Sequence, residues 1–200
     1  MNTKLSKAII LIAILNFSPG AFAHMGAEAG AHALSPHGFA QGLAHPLSGL
    51  DHLAAMLAVG LWSALTARRL WTAPLAFATL LLVGTMLGLA GFTLPALEPL
   101  IAASLLVLGL LVSLRKGFST LSAAALVGVF AVFHGMAHGS ETMDTTAPWE
   151  FLAGMLITTV GLHVSGLGIG LLVRSRSVWW PRAAGAAVAL LGGGLLLQMV

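Results

Sequence analysis

The chain has 200 residues, of which 58% are hydrophobic and only 8% charged, with a mean hydropathy of +0.97. Soluble domains carry about 25% charged residues, so this composition cannot clothe a core in polar surface and excludes a soluble globular protein. The net charge of +3 comes from basic residues scattered singly and in pairs, which excludes a nucleic-acid-binding patch, and the absence of cysteine excludes disulfides, thiolate metal sites and cysteine nucleophiles.

In chain order, Lys4 and Lys7 precede an apolar run from Ala8 to Phe17, then Pro19-Gly20 and Ala21-Phe22-Ala23. A basic n-region, a short h-region and an A-x-A site predict a signal peptide over residues 1–23, cleaved after Ala23. A seventh span is the weaker reading, because the run is short and ends at Pro-Gly. Residues 24–37 then form a tail that holds His24, His32 and His37 beside Glu28, a candidate for weak metal capture. The amino-terminal copper/nickel motif would need histidine third, where the mature chain has Gly26.

Residues 38–200 read as one permease-like domain of six apolar segments: 38–66, 72–92, 96–114, 119–139, 148–173 and 178–200. Each is close to the ~20 residues that span ~30 Å of hydrocarbon as a helix. None alternates as a barrel strand would. The expected fold is an all-α membrane protein, a six-transmembrane-helix bundle after a cleaved signal peptide. Arg68, Arg69, Arg115, Lys116, Arg174, Arg176 and Arg182 fall in three connections, while the mature N-terminus, the other two loops and the C-terminus hold no Lys or Arg. The positive-inside rule then places both mature termini on the outer, periplasmic side.

The acids take the opposite bias. Glu28, Asp51, Glu98, Glu141, Asp144 and Glu150 fall toward the outer ends, where they would concentrate cations. Small residues at Gly84 and Gly88, Gly135 and Gly139, Gly166, Gly168 and Gly170, and Gly192 to Gly194 are placed for close helix contact. Trp71, Trp149, Trp179 and Trp180 sit at helix ends, as interfacial aromatics do.

Two stretches carry chemistry: His45-Pro46-Leu47-Ser48-Gly49-Leu50-Asp51-His52 and Phe133-His134-Gly135-Met136-Ala137-His138-Gly139-Ser140-Glu141. An ionisable group at the centre of a membrane helix costs about 2.5–3.5 kcal/mol on insertion scales, so it is usually retained for function. Imidazoles with carboxylates are a ligand set that borderline divalent metals accept. On a continuous helix His45 and His52, seven apart, share a face with Gly49 and Met56, while Pro46 can kink or cap the helix. His134, His138 and Glu141 share a face in the fourth segment.

Counting ~1.5 Å per residue from the outer boundary predicts two tiers. His45, His134, His138 and Glu141 form the outer one, and Asp51, His52 and His163 the inner one. A lone membrane histidine such as His163 is commonly a neutral imidazole bonded to a neighbouring helix, so depth alone brings it into the set. Met56 and Met136 read as packing.

The pairing of H-P-x4-D-H with F-H-G-x-A-H-G-x-E resembles the HupE/UreJ family, hydrogenase/urease accessory permeases for nickel, over essentially the whole mature chain. The first motif is also similar to the His-x5-Asp-His signature of the larger nickel/cobalt transporter class. The resemblance implies a secondary transporter importing Ni2+ or Co2+ across the bacterial inner membrane to supply hydrogenase or urease maturation. The ion is then cargo, no permanently bound cofactor is expected, and the partners are the dication and the lipid bilayer. By motif, His45, Asp51, His52, His134, His138 and Glu141 carry over as metal residues.

No enzyme is expected. Ser165-Gly166 follows His163-Val164 rather than a G-x-S-G nucleophile, and neither H-E-x-x-H nor a P-loop is present. The alternative is a membrane metal- or haem-binding protein without transport activity.

Overall fold

The computed structural model describes residues 38–142, 147–175 and 177–199; the predicted signal peptide and the histidine tail lie outside the described residues. Seven α-helices and no strand occur among the described residues. They are α1 (Gly38–Ser48), α2 (Leu50–Thr66), α3 (Thr72–Leu89), α4 (Leu97–Leu114), α5 (Thr120–Thr142), α6 (Pro148–Val173) and α7 (Trp179–Gln198). The five from α3 to α7 are each long and apolar enough to cross a bilayer, and α1 with α2 passes the same test as one span bent by 79°.

That bend decides between the two readings that Pro46 left open: the first segment is broken, not continuous. Pro46 lies inside α1, and the break falls at Gly49, whose backbone is extended (φ −96°, ψ 120°). The other boundaries have local causes. After α3 the chain turns through Gly91 at φ 83°, where the N–H of Phe92 reaches back to the carbonyl of Leu87. That glycine stop ends the helix short of Phe92. At the end of α4, Arg115 takes the left-handed conformation (φ 50°). Pro148 opens α6 at a position where its missing N–H is no loss. The fifth helix runs beyond the expected Gly139 to Thr142, which brings Glu141 into its last turn.

Polarity is distributed as a bilayer demands. Leu121, Leu190 and Leu197 are about 80% exposed, whereas Asp51, His52, His134, His138 and His163 are buried. Large apolar side chains face outward and ionisable ones inward, so this is a multi-pass membrane protein. The exposed Trp71, Trp149, Trp179 and Trp180 stand at helix ends as expected.

Close backbone packing sets the arrangement. α3 packs mainly on α5, α4 on α7, and α1 and α2 both on α6. Where α3 crosses α5, a Cβ on Gly84 would lie 2.2 Å from the carbonyl oxygen of Val132 and one on Gly135 2.1 Å from that of Leu81. Gly88 and Gly139 interlock one turn further on. Only glycine permits this crossing. Gly166 and Gly170 press against α2, but Gly168 faces open space, as does Gly194, and Gly193 is barely touched. For those three the expectation of tight packing is corrected: successive i, i+2 positions on a helix point to different sides.

Candidate metal centre

On α5 the stripe Val127, Ala131, His134 and His138 is wholly buried, so both imidazoles occupy core positions of that helix. The interruption at Gly49 delivers the rest. His45 comes from the last turn of α1, and Asp51 and His52 from the first turn of α2. A carboxylate there also sits favourably at the positive end of the helix dipole.

Six of the seven predicted residues meet in one cluster. His45 Nε2 lies 2.9 Å from His138 Nδ1 and 3.2 Å from Glu141 Oε2. His138 Nδ1 is 3.6 Å from the same carboxylate oxygen. His45, His138 and Glu141 can thus offer three ligand atoms within 4.8 Å of one another, a spacing that one ion can bridge. The His52 ring centroid lies 4.6 Å from that of His138, 5.5 Å from that of His134 and 6.1 Å from that of His45.

The expected division into two tiers is therefore corrected. Seven residues along a straight helix rise about 10 Å, whereas with the 79° bend between them the rings of His45 and His52 lie 6.1 Å apart. His163 stands apart. Its ring is 5.1 Å from that of Phe77, which in turn lies 5.6 Å from His134, so Phe77 touches both histidines.

The hydrogen bonds fix which nitrogens are available. His134 Nδ1 is 2.9 Å from the carbonyl of Phe130, which can only accept, so Nδ1 carries the hydrogen and Nε2 keeps a lone pair. Asp51 Oδ1 accepts from both the backbone N–H and Nδ1 of His52, each at 2.9 Å, which leaves Nε2 of His52 in the same state. A carboxylate behind an imidazole both orients the ring and raises its basicity toward a metal. The Nε2 atoms of His52, His134 and His138 are buried and make no hydrogen bond among the described residues. Leaving a buried polar atom unsatisfied costs about 1–3 kcal/mol each. Such unpartnered nitrogens on three neighbouring rings are donors that a cation could use.

Access is graded. The side chains of His45 and Glu141 are 28% and 33% exposed, whereas His134 and His138 are fully enclosed. An ion would meet the His45–Glu141 side first.

Several contributors escape sequence reasoning. Gly49 matters through space, since a Cβ there would lie 2.7 Å from Asp51 Oδ1 and 3.0 Å from His52 Nδ1. Phe151 packs its ring 5.2 Å from that of His45. Phe77 is one of many apolar residues in its helix, and nothing in the spacing distinguishes it. The serine-glycine pair before Asp51 was a readable signal for the break.

A sequence model of the family described as HupE / UreJ protein matches residues 12–195. The chain is 40% identical to Protein HupE of Rhizobium leguminosarum bv. viciae over 196 residues, which is 97% of this chain and 99% of that relative. No solved structure matches the chain.

Proposed function

The chain belongs to the HupE/UreJ family, and on that premise we propose that it is a secondary permease that imports Ni2+ or Co2+ across the bacterial inner membrane for hydrogenase or urease maturation. The observation that carries this reading is the convergence of four imidazoles and two carboxylates from α1, α2 and α5 within a membrane bundle. His45 and Glu141 receive the hydrated ion at the more open side. His138, which faces both His45 and His52, passes it inward to His52 and His134, with Asp51 holding His52 in place. His163 receives the ion beyond Phe77.

Neutral nitrogen and carboxylate donors suit borderline dications, and the ion is substrate rather than resident cofactor. The signal peptide over 1–23 and the basic connections favour a periplasmic N-terminus and a cytoplasmic face at Arg68, Arg115 and Arg174. The tail with His24, His32 and His37 gathers the ion ahead of the bundle. No nucleotide is needed, because an inward dication gains about 4.6 kcal/mol per 100 mV, roughly two thousandfold in concentration ratio.

Radiolabelled Ni2+ and Co2+ uptake by cells expressing the full chain, with competing cations, tests the proposal. Asp51→Asn keeps the shape of the side chain but removes its charge, and is expected to abolish uptake at unchanged membrane abundance. Wild-type protein that binds nickel yet moves none would instead make the chain a binding protein.

A further inference from the structure

At the ends of α2, α3 and α5 remote from the histidine cluster lies a pocket of about 470 Å³. Its wall holds Arg68 and Arg69 from the α2–α3 connection, together with Thr72 and Thr120, the first residues of α3 and α5. Trp62 closes the inner side, with its Nε1 hydrogen committed to the carbonyl of Lys116. Neither arginine has a carboxylate partner among the described residues; the ion pairs there join His45, His52 and His138 to Asp51 and Glu141.

Two uncompensated guanidiniums beside a cavity attract an anion, and the planar fork of arginine matches phosphate oxygens in particular. The N-terminal turns of α3 and α5 add partial positive charge in the same direction. Size narrows the choice. The pocket is too large for a halide to fill and is suited to a phosphate with an organic substituent. Trp71 and Phe118, both exposed nearby, are aromatics of the kind that sit at headgroup level.

We propose that this pocket binds a phosphate group, as borne by an anionic phospholipid headgroup or by free phosphate. The site is independent of the transport reading, and its test involves no metal.

The full chain, purified in a neutral detergent, is titrated separately with short-chain phosphatidylglycerol, phosphatidylcholine and inorganic phosphate. Binding is followed by native mass spectrometry and thermal unfolding. Phosphatidylglycerol is expected to bind in preference to phosphatidylcholine. The double variant Arg68→Gln/Arg69→Gln is expected to weaken it about tenfold or more. Arg174→Gln/Arg182→Gln, which changes basic residues outside the pocket, leaves it unaltered.

Thr120→Asp supplies a second variant that keeps the fold, since an acid in the first turn of α5 favours the helix while repelling an anion from the pocket. Stabilisation by inorganic phosphate alone, lost in both pocket variants, identifies free phosphate as the ligand; a response to phosphatidylglycerol only identifies the headgroup. Equal binding by wild type and the Arg68/Arg69 variant, equal loss in the Arg174/Arg182 control, or undiminished binding by Thr120→Asp overturns the proposal.

Discussion

Replacing Gly49 with alanine tests the metal centre through a single methyl group. The backbone at Gly49 is extended, a conformation any residue adopts, so the substitution strains no torsion. The added carbon would instead sit 2.7 Å from Asp51 Oδ1 and 3.0 Å from His52 Nδ1. Ordinary carbon–oxygen contact begins near 3.4 Å, so the oxygen must retreat by about 0.7 Å, enough to break a 2.9 Å hydrogen bond to His52.

Two opposing terms then set stability. Losing one buried hydrogen bond to a charged group costs about 1.5–3 kcal/mol. Restricting the unfolded chain by Gly→Ala returns about 0.4–1 kcal/mol. The melting temperature should therefore fall only modestly.

Metal affinity should fall much further, because loss of a carboxylate behind a ligating imidazole typically weakens binding about 10- to 100-fold. Isothermal titration of the purified protein with Ni2+, alongside thermal unfolding, measures both. Wild-type affinity in Gly49→Ala would refute the argument that Asp51 prepares His52 for the ion.

Alanine at Gly135 would place its Cβ 2.1 Å from the carbonyl oxygen of Leu81 and 2.7 Å from the amide of Thr85, and neither backbone can yield. Size-exclusion profiles should show loss of folded protein, whereas Gly168→Ala, with nothing within 4 Å, should behave as wild type. His138→Ala should reduce nickel binding more than His163→Ala, since His138 touches both His45 and His52 while His163 stands behind Phe77; titration of the two variants ranks them. Binding should weaken as the medium is made more acidic, because a protonated imidazole has no lone pair to give and metal binding must then displace protons. A pH series of the same titration checks the sign.

The helices were legible because each apolar run is long, uninterrupted and bounded by cations, glycine or proline. Prediction and structure agree at both ends of α6, where Pro148 and Arg174 are unambiguous stops. They differ where a stop is geometric: the turn at Gly91 cuts α3 short, and the continuation of α5 through Thr142 depends on burial of that last turn. The candidate metal residues were visible because charge in an apolar run stands out, and six of them do come together. Their relative heights were not. A counting rule assumes a straight helix, and nothing local to His45 or His52 states the angle at Gly49. Aromatic neighbours such as Phe77 carry no chemical signature in a chain this apolar, so only the fold reveals them.

The glycine-locked crossings divide the bundle mechanically. α3 and α5 grip one another backbone to backbone, and α1 and α2 grip α6 in the same manner, through Gly42, Gly60, Gly154 and Gly166. Between those two blocks, α1 and α2 approach α5 chiefly through the imidazoles. A sliding displacement would meet hard steric resistance inside either block, whereas across the seam the contacts are side chain to side chain. An ion seated among those imidazoles would tie the two blocks together at that level.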